Sequence, residues 1–239
     1  AFMTFKVRLL LGAAAPLVFA LPAVAQVTIS TATTTPVQTA TASSGAPSDI
    51  TISSPSGTVA PTTTNTTAVT VNSSNDITNN GAITFNNLND TVGVRILPGL
   101  TGSYGGSGSI SLVEDYTRVD DASDTDTELD GPLAQGSNRY GILLEPGGTF
   151  TGDIRIDASN NVTTPVGGSI TIEGNNSAGV SLQSNLNGSY VQNGAVSVTG
   201  SNTIGVDIRG DVSGNVQIGS QAVTTGTAGV VGSTVPGTV

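Results

Sequence analysis

The densest run of groups able to do chemistry lies between Leu112 and Tyr140. It holds Glu114, Asp115, Asp120, Asp121, Asp124, Asp126, Glu128 and Asp130, eight of the chain's 17 acids. Asp124, Asp126, Glu128 and Asp130 alternate, an arrangement that can offer several oxygens to a hard cation such as calcium. The spacing lacks the Gly and terminal Glu of an EF-hand, and Gly105-Gly106-Ser107-Gly108 lacks the Asp of the nine-residue calcium repeat. Two readings follow: a calcium site on those four carboxylates, or a solvated acidic loop. No other cofactor is expected.

Elsewhere most catalytic chemistry is excluded by residue type. His and Cys are absent and Lys6 is the sole lysine, so imidazole bases, thiolate nucleophiles and zinc sites cannot be assembled. Paired carboxylates remain, the device of glycosidases, which need two acids about 5–9.5 Å apart. Aligned repeats put Arg95, Leu143, Ser181 and Asp207 on one outward ladder, and Asp153 and Arg155, Ser189, then Asn215 and Gln217 on another. Each ladder carries acids on one rung only, so Asp153, Asp157, Asp207 and Asp211 read as solvated or Arg-paired, and no catalytic residue is expected. Of the aromatics after the leader (Phe85, Tyr104, Tyr116, Tyr140, Phe150 and Tyr190), several fall at inward positions; Tyr116 is the one expected in solvent.

Internal repetition is what positions these residues. Gly168-Ser-Ile-Thr-Ile-Glu-Gly174 and Gly179-Val-Ser-Leu recur as Gly194-Ala-Val-Ser-Val-Thr-Gly200 and Gly205-Val-Asp-Ile, 26 residues on, and Gly188 recurs as Gly214. Earlier copies open at Gly81, Gly93, Gly102 and Gly108. Each unit holds three short runs in which apolar and polar residues alternate, the mark of a strand with one buried face. Ile83 and Phe85, Ile110 and Leu112, Ile170 and Ile172, and Val196 and Val198 should then stack as inward columns. Three strands per coil of roughly 26 residues predict an all-β, right-handed parallel β-helix. A propeller or sandwich would want longer strands and hairpins; the hairpin-like Asn80-Gly81 and Asn193-Gly194 recur at the coil boundary, where a solenoid also needs a corner.

The organisation expected is a leader over 1–25, a Thr/Ser/Pro-rich lead-in over 26–67, and a β-helix over 68–239 with an acidic insertion at 113–139. Lys6 and Arg8, the apolar run Leu9 to Leu21 and Pro22-Ala23-Val24-Ala25 form a secretory signal, with cleavage between Ala25 and Gln26. The lead-in reads either as a flexible or O-glycosylated spacer or as an irregular cap, in which Ile50 and Ile52 bury one strand face. At the far end Ala222-Val223-Thr224 and Gly229-Val230-Val231 take the places of the first two strands of another coil, and Val235 to Val239 bring no polar cap. The chain is therefore expected to stop inside its own solenoid.

Without the leader, five arginines face 17 acids, a net charge of −12. Nucleic acid and anionic lipid are thereby excluded as main partners. Charged residues make up 10% of the chain and Gly numbers 31, a composition suited to short strands and many turns.

The signal, the Thr/Ser-rich lead-in and phrases such as Val69-Thr-Val71-Asn72-Ser-Ser-Asn75-Asp76-Ile77-Thr78-Asn79-Asn80-Gly81-Ala82-Ile83 resemble the passenger domains of bacterial autotransporters. The resemblance implies export, passage through an outer-membrane barrel, and display at the cell surface or in the extracellular space as a β-helical adhesin or stalk. The barrel is expected downstream, since nothing after Gly219 shows its ten-residue amphipathic strands. The partners implied are other cell surfaces, extracellular polysaccharide or further copies of the chain. The reading from another class is a secreted polysaccharide-degrading β-helix enzyme, which an acid pair or acid-plus-Arg cluster on one face would favour.

Overall fold

The structure, a computed structural model, describes residues 26–120, 128–157 and 168–219, with the backbone of a last strand, Gln221–Val223. The expected leader and the Gly229-Val230-Val231 segment lie outside the described residues.

Short alternating runs separated by Gly and Asn corners make a parallel β-helix, its strands stacked in sequence order. The first sheet stacks β1 (Gln26–Ile29), β4 (Asp49–Ile52), β7 (Ile77–Asn79), β10 (Tyr104–Gly105), β14 (Ile154–Ile156), β18 (Tyr190–Gln192), β21 (Val216–Ile218) and β22 (Gln221–Val223). The second stacks β2 (Ala32–Thr33), β5 (Thr58–Val59), β8 (Ala82–Asn86), β11 (Ser109–Val113), β15 (Ser169–Glu173) and β19 (Val196–Thr199). The third stacks β3 (Val37–Gln38), β6 (Thr67–Val71), β9 (Thr91–Ile96), β12 (Arg139–Leu144), β16 (Ala178–Leu182) and β20 (Ile204–Ile208). The Thr/Ser-rich lead-in is thus built into the solenoid from β1 onward, with Ile50 and Ile52 buried.

The inward columns stack as the repeat predicts. Ile83, Ile110, Ile170 and Val196 are in register, as are Phe85, Leu112, Ile172 and Val198, while Thr84, Ser111, Thr171 and Ser197 form the outer ladder between them. Val196 and Val198 are only partly buried; the others are core. Each fully buried Ile, Leu or Phe contributes about 1.5–3 kcal/mol, and the columns run unbroken from coil to coil. The 26-residue period holds in the last coils, where Ile170 meets Val196, Ala178 meets Ile204 and Tyr190 meets Val216.

Three features depart from the simple triangular coil. A fourth, two-stranded ladder, β13 (Thr149–Thr151) with β17 (Asn185–Asn187), adds an inward column of Phe150, Leu186 and Val212 at one corner. Its strands are three residues long, too short for alternation to register. Next, β22 turns back antiparallel beside β21 instead of opening the expected parallel coil with Ala222-Val223-Thr224. Gly219, at φ +74°, supplies the left-handed residue such a reversal needs. Finally, the corner before each strand of the third sheet from β6 on is a column of left-handed Asn or Asp: Asn65, Asp90, Asn138, Asn176 and Asn202, with φ of 53, 55, 57, 50 and 55°. These types tolerate that conformation best after Gly, and their side chains hydrogen-bond along the column, Asn138 Nδ2 to Asp90 Oδ1 and Asn202 Nδ2 to Asn176 Oδ1, both at 2.8 Å.

The repeated glycine at the start of the third sheet's strands has a packing reason. A Cβ on Gly93 would lie 2.6 Å from Gly141 O and 2.8 Å from Ile110, and one on Gly179 would lie 2.5 Å from both Gly205 O and Val196. The third sheet therefore approaches the second more closely than any side chain allows.

Candidate functional site

The acidic insertion leaves the solenoid after Val113, the end of β11, and returns at Arg139, the start of β12. Both ends are gripped by one buried cluster. Arg139 is 1% exposed; its Nε donates to Leu88 O at 2.7 Å, a terminal nitrogen donates to Glu173 O, and the guanidinium lies 3.4 Å from Glu114 Oε2. The two Glu114 oxygens accept the N–H groups of Gln135 and Gly136, each at 2.7 Å, and a Glu173 carboxylate oxygen accepts the N–H of Glu114 at 2.9 Å. Asn175 Nδ2 donates to the carbonyl of buried Ala134 at 2.8 Å. Burial draws the Arg139 pKa below its ordinary value, while Glu114 and Glu173 oppose the shift. A guanidinium remains charged in any case, so its ion pair and hydrogen bonds act as a mechanical mount.

Beyond the mount, Val119 and Asp130 form an antiparallel bridge, the Asp130 N–H donating to Val119 O at 2.9 Å. Val119 and Leu129, 64% and 51% exposed, are the exposed large hydrophobic side chains among the described residues, and both sit on this arm. Tyr116 is partly buried, contrary to the expectation of a solvent-exposed ring, because its hydroxyl packs over Gly131. Asp115 is exposed, and hydrogen bonds from Asn86 and then Asn87 hold its carboxyl below the usual range. Of the four carboxylates in the calcium reading, Asp124 and Asp126 lie outside the described residues, whereas Glu128 and Asp130 stand on the arm. No group of three or more acidic residues among the described residues is arranged to hold a metal ion.

The outer face of the third sheet carries the ladder expected from alignment: Arg95, Leu143, Ser181 and Asp207 are in register. They are not all solvated. Leu143, Ser181 and Asp207 are 7%, 1% and 3% exposed although they point away from the core. Long side chains beside Ser181 and Asp207 form their cover: Gln183 Nε2 donates to Ser181 Oγ at 3.2 Å, Ser181 Oγ donates to Asp207 Oδ2 at 3.3 Å, and Arg209 Nε donates to the same oxygen at 2.7 Å. Arg95 pairs with Glu145, a residue the alignment did not single out because it lies just past the end of β12. Glu145 and Asp207 stand two rungs apart and two residues out of register, roughly 12 Å at the usual strand spacing and rise, and each is neutralised by an arginine.

On the first sheet, acids join coils. Asp49 Oδ1 accepts the N–H of Asp76 at 2.9 Å, Asp76 Oδ1 that of Ser103 at 2.7 Å, and Asp153 Oδ1 that of Ser189 at 2.8 Å. Asp153 is therefore neither simply solvated nor Arg-paired, whereas Asp157 does pair with Arg155, at 3.2 Å. Phe85, Tyr104, Phe150 and Tyr190 are buried inside the coils and offer no surface platform for sugars.

The fold defines a β-solenoid carrying one mounted arm. No family model, curated protein or solved structure matches the chain.

Proposed function

We propose that this protein is an exported β-helical passenger of the autotransporter type, displayed at a cell surface with a structural or adhesive role and without catalysis of its own. The observation that carries the reading is the mounted arm. A rod of stacked coils is interrupted by an acid-rich segment whose ends are fixed by buried Arg139 and whose described part exposes Val119 and Leu129. Long insertions on a rigid scaffold are where binding residues concentrate. The carboxylates Glu145, Asp157 and Asp207 are engaged by arginines and Asp49, Asp76 and Asp153 by backbone N–H groups, which supports a scaffold role for them.

Display on a bacterial surface tests the proposal. Cells carrying the protein should aggregate or adhere to other cells or to extracellular polysaccharide, and replacing residues 117–130 with a short Gly-Ser turn should abolish the contact while the β-sheet signal stays. Adhesion unaffected by that exchange removes the arm as the contact; no adhesion in any assay removes the adhesive role. Export implies that material recovered outside the cell begins at Gln26, and mass spectrometry showing Lys6 retained would contradict the leader.

A further inference from the structure

The first coil leaves three strand edges open. Among the described residues β1, β2 and β3 pair on one side only, with β4, β5 and β6, so the other side of each presents unpaired backbone groups. The core reaches solvent at the same place, in a cleft of about 210 Å3 lined by Val27, Ile29, Pro36, Val37, Ala42 and Ile50. Val27, Ile29 and Val37 are only partly buried, whereas their partners one rung inward, Ile50, Ile52 and Val69, are 1%, 0% and 0% exposed. Residues 26–48 contain no charged side chain, and charge is the usual guard of an exposed sheet edge.

We infer that this coil end is a self-association surface on which a second copy of the chain docks, first coil to first coil, about a twofold axis. The inference rests on the export reading above, because removal of residues 1–25 makes Gln26, the first residue of β1, the start of the chain and leaves no upstream segment to fold over the edge. A single extended peptide would cover one of the three edges; another coil end covers all of them and closes the cleft with its own Val27 and Ile29. Docking against the opposite end is disfavoured, since β22 runs antiparallel to β21 and interrupts the parallel stack of the first sheet. Two first coils present like edges to each other, as an isologous contact requires.

Sedimentation of the processed chain across a concentration series tests this, and it should show a dimer that dissociates on dilution. Thr28→Lys, at an exposed outer position of β1, sets like charges across the twofold axis and should raise the dimer dissociation constant at least about tenfold. Thr199→Lys, on exposed β19 at the other end, should leave it unchanged. Circular dichroism verifies that the fold is kept, and Thr31→Lys serves if Thr28→Lys alters it. A monomer at every concentration, an association indifferent to the first-coil charge, or one weakened equally by Thr199→Lys would overturn the inference. Displayed cells that adhere although the purified chain is monomeric would sink this contact and leave the adhesive reading standing. A charge-sensitive dimer from a chain whose cells never adhere would do the reverse.

Discussion

In the last coils, from β15 to β21, neighbouring turns are joined by many similar links spaced 26 residues apart. The Ser201 N–H donates to Asn175 Oδ1, the Asp211 N–H to Asn185 Oδ1, and Ser213 Oγ to Asn187 Oδ1, at 2.8, 3.0 and 2.9 Å. In the middle coils, where the insertion separates β11 from β12, one buried guanidinium holds Leu88, Glu114 and Glu173 together. Their interiors differ in the same direction. The Tyr190 hydroxyl donates to Gln192 Oε1 at 2.9 Å and Gln192 Nε2 to Gly194 O at 2.7 Å, a completed buried pair. Tyr104 and Asn79 make a looser one, 3.4 Å from Nδ2 to the hydroxyl, with Asn79 Oδ1 lacking a partner. An unbroken repeat spreads cohesion over interchangeable contacts; an interrupted one concentrates it in few.

The largest effect is expected where cohesion is concentrated. Arg139→Met leaves Glu114 without its buried counter-charge and should cost about 3–5 kcal/mol by denaturant unfolding, with faster proteolysis between residues 114 and 138. Ser213→Ala removes one exposed link and should cost about 0.5–1.5 kcal/mol. Equal costs would erase the contrast.

Alkali probes the interiors. Burial pushes the Tyr104 pKa up to about 12, despite the opposing Asn79 hydrogen bond, and raises that of Tyr190 further in the same direction. A phenol whose pKa is higher when folded stabilises fully below its unfolded value near 10 and progressively less as pH rises through the folded value. Tyr104 alone should lose roughly 3 kcal/mol of stability between pH 10 and 12, and Tyr104→Phe should flatten that part of the profile. A Tyr104→Phe profile identical to the parent's would show that the ring is solvated.

The two pairs should also separate at neutral pH. Tyr190→Phe strands the buried Gln192 Oε1 and should cost about 1–3 kcal/mol, whereas Tyr104→Phe removes only a long contact and should cost less than about 1 kcal/mol. Thermal melts of both variants decide whether the last coils hold the tighter interior.

Smallest of all is the response of the arm to calcium. If Asp124, Asp126, Glu128 and Asp130 form a site, calorimetry at millimolar calcium should show saturable heat that Glu128→Gln weakens; without such heat the segment is a solvated acidic loop.

By itself the sequence determined the architecture. The recurrence of Gly168, Gly174, Gly179 and Gly188 after 26 residues set the coil, and alternation at Ile170-Thr171-Ile172 set the inward and outward faces, because a strand's side chains must switch sides at every residue. Register even placed Arg95, Leu143, Ser181 and Asp207 on one ladder. Alternation says which way a side chain points and nothing about what lies over it, so the covered state of Ser181 and Asp207 depended on Gln183 and Arg209 folding across them. The ion pairs were likewise beyond reach of any spacing rule. Arg95 and Glu145 are 50 residues apart, a distance set by the length of the insertion between their coils, and Arg139 pairs with Glu114 across the same insertion. Only the stacked structure, which brings unequal loops to a common rung, could make Arg139 the mount of the acidic arm.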